Sequence, residues 1–109
     1  MDADSLVGQE AEFWTRHVLA HLKPDRMETD LYLLISRHRM RYYYFAGERE
    51  KAVEQAAEAQ GWAGMLYEQT KLGDILEYAE ILSAIRAGLS PKEEETRESE
   101  YETDNPLEE

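Results

Sequence analysis

The chain has no cysteine, only three prolines, and no long run of apolar residues. Without cysteine it forms no disulfide and no thiolate metal site, and this absence is typical of proteins of a reducing cytoplasm. No apolar stretch approaches the ~18–20 residues that a membrane-spanning helix needs. The acidic first ten residues also lack the basic and apolar regions of a signal peptide. We therefore expect a soluble, cytoplasmic protein that does not enter a membrane.

Short catalytic motifs are missing as well. The sequence contains no Gly-x-Gly-x-x-Gly, no phosphate-binding loop and no Gly-x-Ser-x-Gly turn. His17 and His21 are four residues apart and could share one side of a helix, but two imidazoles are too few to hold a transition metal. A carboxylate such as Asp25 or Glu28 would have to complete the site. We predict no enzyme, no metal and no cofactor.

Positive charge is scarce, and the negative charge is unevenly distributed. The chain of 109 residues carries a net charge of −12. Residues 92–109 hold nine acidic and two basic residues, so this segment alone contributes −7. Because residues 91–109 are also nearly devoid of apolar side chains, we predict a disordered acidic tail. The 18 glutamates against four lysines also resemble a halophilic-type composition.

Residues 1–90 are predicted to form one all-α domain, a small bundle of three to four helices. The helical segments run over about 5–23, 25–46 and 48–72, and a fourth begins at Asp74 and ends before Gly88, its predicted C′ glycine. Pro24 ends the first, and glycines mark the later ends. Asp4 or Ser5 is expected to cap the first helix, and Asp74 with Glu77 resembles a capping box for the fourth. The apolar stripe of the first helix contains Val7, Ala11, Trp14, Val18 and Leu22, and that of the fourth contains Ile75, Tyr78, Ala79, Leu82 and Ile85.

The second helix is predicted to bury the apolar residues that recur at steps of three and four along it. An alternative is a hairpin of two strands over 31–35 and 40–45, which the tyrosines favour. The linker between those strands has no Gly, Asn, Asp or Pro, so turn chemistry does not support the hairpin. The predicted inward-facing residues are Met27, Leu31, Leu34, His38, Tyr42 and Phe45.

A stripe of small residues follows the third helix and ends in a glycine. Such a stripe allows another helix to approach closely, either inside the domain or across a two-fold axis in a homodimer. Gly61 and Gly64 mark either a kink or a close approach of another backbone. The candidate interface consists of Ala52, Ala56, Ala59, Ala63 and Gly64.

The run from Tyr42 to Gly73 resembles the central segment of a small archaeal family of helical proteins of unknown function. In that family an aromatic-rich helix ends at a Gly-acidic pair, here Gly47-Glu48, and an alanine-bearing helix leads into a Gly-Trp pair, here Gly61-Trp62. The match covers about a third of the chain, and the spacing departs from the family pattern beyond Trp62. The resemblance implies a helical fold and no activity.

One stretch of the second helix, residues 37–45, is both basic and aromatic. Guanidinium groups bind phosphate bidentately and tyrosine rings stack on bases. An alternative is that these arginines pair with glutamates of the third helix. The candidate anion contact consists of Arg37, Arg39, Arg41 and Tyr44.

Two functions follow as hypotheses. The first is a helical interaction module that forms a homodimer or binds a protein partner. The second is phosphate or nucleic-acid binding through the helix from Arg37 to Phe45, regulated by the acidic tail. Because binding of duplex nucleic acid usually needs a broad basic surface, the acidic composition favours the first.

Overall fold

The computed structural model describes residues 2–90, and within them it contains four α-helices and no strand. This confirms the predicted all-α class. A single helix occupies the segment for which a hairpin was the alternative, so that alternative is wrong. The predicted disordered tail, residues 91–109, lies outside the described residues. The helices are α1 Ala3–Phe13, α2 Glu28–Phe45, α3 Arg49–Thr70 and α4 Gly73–Leu89.

The first helix starts earlier than expected and changes its winding before it ends. Asp2, rather than Asp4 or Ser5, is the N-cap, and its Oδ1 accepts a hydrogen bond from the backbone N–H of Ser5 at 2.8 Å. After α1 the chain continues as a π-helical segment, Trp14–Val18, and a 3₁₀ turn, Leu19–His21. Leu22 is extended, so the helical stretch ends at His21, three residues before Pro24.

The predicted ends of the third and fourth helices and the predicted start of the fourth were also wrong. The left-handed residue that ends α3 is Lys71, with φ of 60°, and Gly73 begins α4 instead of ending α3. Leu72 precedes α4, so Asp74 is its second residue rather than its cap. Gly88 lies inside α4, where an added Cβ would come within 3.2 Å of Leu6 Cδ1. This glycine therefore lies where α1 and α4 pack closely.

Helix α3 is the centre of the domain, packing against α2 on one side and α4 on the other, while α1 packs on α4. The predicted apolar faces of the first and fourth helices are confirmed, since Val7, Trp14, Val18, Tyr78 and Leu82 are buried. Helix α3 runs unbroken through both of its interior glycines, and neither has an atom of the described chain within 4 Å of a would-be Cβ.

The small-residue stripe of α3 belongs to this core. Ala52, Ala56, Ala59 and Ala63 are completely buried within the domain, and Gly64 is half-buried. Side chains without solvent exposure in one folded copy cannot contact a second folded copy. The candidate interface is therefore corrected: the small side chains bring α2 and α4 close to α3.

Replacing a stripe alanine by leucine tests this placement. Ala56→Leu forces three extra carbon atoms into a filled core, so the free energy of unfolding should fall by about 1–3 kcal/mol. Ala84→Leu, on the exposed side of α4, should change it by less than about 0.5 kcal/mol. Urea denaturation followed by circular dichroism measures both. Equal effects of the two substitutions would contradict the core assignment.

Candidate functional site

Helix α2 presents to solvent the face that was predicted to be buried. Its buried residues are Thr29, Asp30, Leu33, Ser36 and Met40, of which three are polar or charged. The predicted inward-facing set lies on the opposite side, within an arc of about 80° at 3.6 residues per turn. Five of its members are exposed and Leu34 is half-buried. We call this set the α2 stripe: Met27, Leu31, Leu34, His38, Tyr42 and Phe45.

The inward polar face of α2 is stabilised by specific partners. Asp30 Oδ2 accepts from the backbone N–H of Lys23 at 2.7 Å, which ties the start of α2 to the preceding loop. Thr29 Oγ1 accepts from Gln69 Nε2 of α3 at 3.1 Å. The Ser36 hydroxyl donates to the backbone carbonyl of Tyr32 at 2.8 Å. Each of these side chains has at least one hydrogen-bond partner, so burying them costs less than burying bare polar groups, although Asp30 Oδ1 is buried without a partner among the described residues.

Helix α2 makes its most extensive polar contact with Glu10 of α1, whose side chain is completely buried. Arg37 of α2 binds it through two nitrogens, Nε to Oε2 at 2.8 Å and Nη2 to Oε1 at 3.3 Å. Arg41, one turn later, donates from Nη1 to Oε1 at 3.0 Å and to the backbone carbonyl of Val7 at 3.2 Å. Tyr78 of α4 donates its hydroxyl to Oε2 at 2.5 Å. The carboxylate therefore accepts four hydrogen bonds and joins three helices.

Aromatic rings enclose this carboxylate. The guanidinium carbon of Arg37 lies 4.6 Å from the centre of the Trp14 ring, and that ring lies 5.4 Å from the ring of Tyr78. Burial, reinforced by the negative charge of Glu10 and opposed by Arg37, raises the pKa of Tyr78 well above its ordinary value of 10.0. The phenol therefore stays neutral and remains a hydrogen-bond donor.

The candidate anion contact is not assembled as one surface. Arg37 and Arg41 are turned inward onto Glu10, with only 19% and 24% of their side chains exposed. Arg39 is exposed on another side of α2, and Tyr44 is half-buried with its ring 5.0 Å from that of Phe45. The alternative partner for these arginines, a glutamate of the third helix, is also corrected, since the partner belongs to α1.

The C-terminal half of the α2 stripe borders a shallow surface depression of about 490 Å³. Tyr42 and Phe45 are 64% and 68% exposed, and Leu31 is 38% exposed in the N-terminal half. The outward face of α2 is thus more apolar than its inward face. A helix that is apolar on opposite sides is normally buried all round. The α2 stripe is exposed instead, so it is the candidate functional site. The depression is lined by Arg37, His38, Arg41, Tyr42, Phe45 and Ala46.

The histidine pair near the end of the first helical stretch is separated from this site. His17 Nδ1 lies 3.7 Å from Asp74 Oδ2, with both side chains nearly half exposed. Among residues 2–90, no three histidine, aspartate or glutamate side chains are grouped to hold a metal ion. Within the same residues, no helix combines the length and apolar character needed to cross a membrane.

Comparison with known proteins finds no match to a family model, to a curated protein or to a solved structure. The resemblance to the archaeal helical family therefore stays a prediction.

Sequence reasoning missed Glu10, although its position carries a signal. It lies three residues after Val7 and four before Trp14, in line with the apolar stripe of the first helix. A charged residue in such a position calls for a buried partner of opposite sign. The pair Arg37 and Arg41, one turn apart, is the matching signal on α2.

Glu10→Gln removes the charge that holds the two arginines. We expect the free energy of unfolding to fall by about 3 kcal/mol, because breaking a buried ion pair leaves uncompensated charge in the domain. Glu12→Gln is the matched control: this residue pairs with Arg16 at 3.5 Å on the surface, where such a pair contributes less than about 1 kcal/mol. Urea denaturation at neutral pH measures both. Similar losses in the two variants would refute the role of Glu10.

Tyr78→Phe tests the neutral phenol through its pH dependence. At neutral pH the loss of a hydrogen bond to a carboxylate should cost about 1.5–3 kcal/mol. Because the folded-state pKa of Tyr78 is raised, its contribution is fully present below pH 10 and is lost as the pH rises towards that folded-state pKa. The stability difference between wild type and variant should therefore shrink at alkaline pH. Tyr67→Phe serves as the control, and a Tyr78→Phe difference that stays constant would contradict the assignment.

Proposed function

We propose that this domain is a self-associating protein-interaction module of the cytoplasm, and that the α2 stripe is its contact surface. The observation that carries the proposal is the solvent exposure of the more apolar face of α2, with Tyr42 and Phe45 about two-thirds exposed. Contiguous exposed apolar surface on a small domain marks an interaction site. The cytoplasmic location is supported by the absence of cysteine.

A second copy of the chain is the partner that fits this surface. The stripe extends over the whole of α2, which is about 27 Å long at 1.5 Å per residue. Another copy offers a face of equal length and equal apolar character. The charges beside the stripe also complement each other, since Glu28 lies at one end of α2 and Arg39 lies towards the other, and both are exposed. A homodimer with two-fold symmetry uses one such self-complementary surface twice.

The second hypothesis, anion binding, has weaker support. Two of its four residues are engaged with Glu10, and releasing them would leave a buried carboxylate without partners. The alanine stripe of α3 does not support self-association, because it is enclosed by the domain. The proposal therefore rests on the α2 stripe alone.

Leu31→Glu tests the proposal by placing a charge in the middle of the stripe. We expect the dissociation constant of the dimer to rise tenfold or more, which corresponds to about 1.4 kcal/mol. Sedimentation equilibrium from low micromolar to several hundred micromolar protein is the measurement. A single-helix contact lies at the small end of interface sizes, so the high concentrations are essential.

Leu76→Glu is the matched control. Leu76 of α4 is 42% exposed, against 38% for Leu31, but it lies outside the stripe. It should leave the dissociation constant unchanged, and circular dichroism should show both variants folded. A wild-type protein that stays monomeric at the highest concentration would refute the proposal, as would equal effects of the two substitutions.

A further inference from the structure

The two halves of the α2 stripe differ in chemistry. The N-terminal half is aliphatic, with Met27, Leu31 and Leu34, and the C-terminal half contains His38 and the two aromatic residues. The charged residues beside the stripe also differ between its two halves. Glu28 accompanies the first half, and Arg39 accompanies the second on the same flank of the helix. Because the two ends of the stripe differ, a second α2 helix can lie against it in two distinct orientations, parallel or antiparallel.

We propose that two copies pair through their α2 helices in the antiparallel orientation, an arrangement that rests on the proposed self-association. The two-fold axis then passes level with residue 36. Met27 lies against the partner's Phe45, Leu31 against the partner's Tyr42, and Leu34 against the partner's His38. All six stripe residues are then in contact, because each aliphatic side chain lies within one residue of the same distance from the midpoint as its aromatic or histidine counterpart.

Electrostatics selects this orientation over the parallel one. In a parallel pair the flank that carries Glu28 and Arg39 in one copy lies on the opposite side of the contact from the same flank of the partner, so these charges form no pair across the interface, and His38 lies beside the partner's His38. The antiparallel pair instead places the acidic start of each helix beside the arginine-bearing end of the other. The helix dipoles reinforce this choice, since antiparallel helices bring ends of opposite partial charge together. Opposite charges that meet across an interface favour the arrangement that brings them together.

Packing agrees with this orientation. A thioether against an aromatic ring is a favourable contact, so Met27 and the partner's Phe45 suit each other. Tyr42 places its ring over Leu31 of the partner while its hydroxyl reaches the rim, where it stays hydrated. The stripe is bordered on one side by Tyr32, whose ring is stacked on Trp62 at 5.0 Å. That aromatic pair widens the contact surface.

Engineered cysteines test the orientation directly, because the chain has none of its own. Met27→Cys and Phe45→Cys are made as separate full-length variants, mixed, and oxidised with glutathione. The two positions are about 27 Å apart along one helix, so in an antiparallel dimer neither variant can link to itself. We expect the mixed disulfide, identified by mass, to exceed each self-linked species at least tenfold. Leu76→Cys is the control and should link to neither variant.

Charge reversal provides a second readout that leaves the stripe intact. Glu28→Arg and Arg39→Glu should each raise the dissociation constant several-fold at low salt, and the double variant should restore it. Dominant self-linked species, or a double variant that binds no better than the single ones, would overturn the antiparallel arrangement. Self-association disrupted by Leu31→Glu would still support the proposed function in that case. A monomeric wild type would overturn both.

Discussion

The carboxylate of Glu10 is the point on which the arrangement of the helices depends. It is fully buried, so it needs partners, and α1 alone offers none. Arg37 and Arg41 come from α2 and the Tyr78 hydroxyl comes from α4. Binding two side chains from α2 and one from α4 holds α1 against two helices that do not themselves adjoin closely. The energetic value of the network lies in this constraint on geometry more than in net stabilisation.

The same contact sets the rotation of α2 about its own axis. Arg37 and Arg41 reach Glu10 only when their side of the helix points inward, and that side also carries Asp30 and Ser36. The most apolar side then faces solvent. Exposing Tyr42 and Phe45 costs a few kcal/mol of apolar burial, whereas leaving a buried carboxylate unpaired costs at least as much and removes the attachment of α1. Charge pairing therefore overrides apolar periodicity in this helix.

This outcome connects the fold to the proposed function. Arg37 and Arg41, which suggested an anion site, pair with Glu10 inside the domain. The aromatic residues beside them, Tyr42 and Phe45, are exposed to solvent. A stretch with the composition of a nucleic-acid contact thereby becomes an apolar surface suited to another helix. The alanines of α3 make this possible, since their small side chains let α2 pack closely through the buried Leu33 and Met40 and the half-buried Tyr43 and Tyr44.

Local sequence determined the all-α class, the approximate extent of each helix and the buried sides of the first and fourth helices. In those cases one apolar stripe was present, and Glu10, the buried charge of α1, lies in line with that stripe rather than on a competing face. The exact helix ends at Lys71 and Leu72 were not predictable, since the left-handed turn fell on a lysine rather than on the nearby glycine. Only the tertiary structure decided which side of α2 is buried. That side depends on Glu10, which lies 27 residues before Arg37 and 68 before Tyr78. Periodicity within one helix carries no information about a charge that far away. The sequence of α2 alone therefore does not show which of its two opposite faces is buried, and the packing of the other helices decides it.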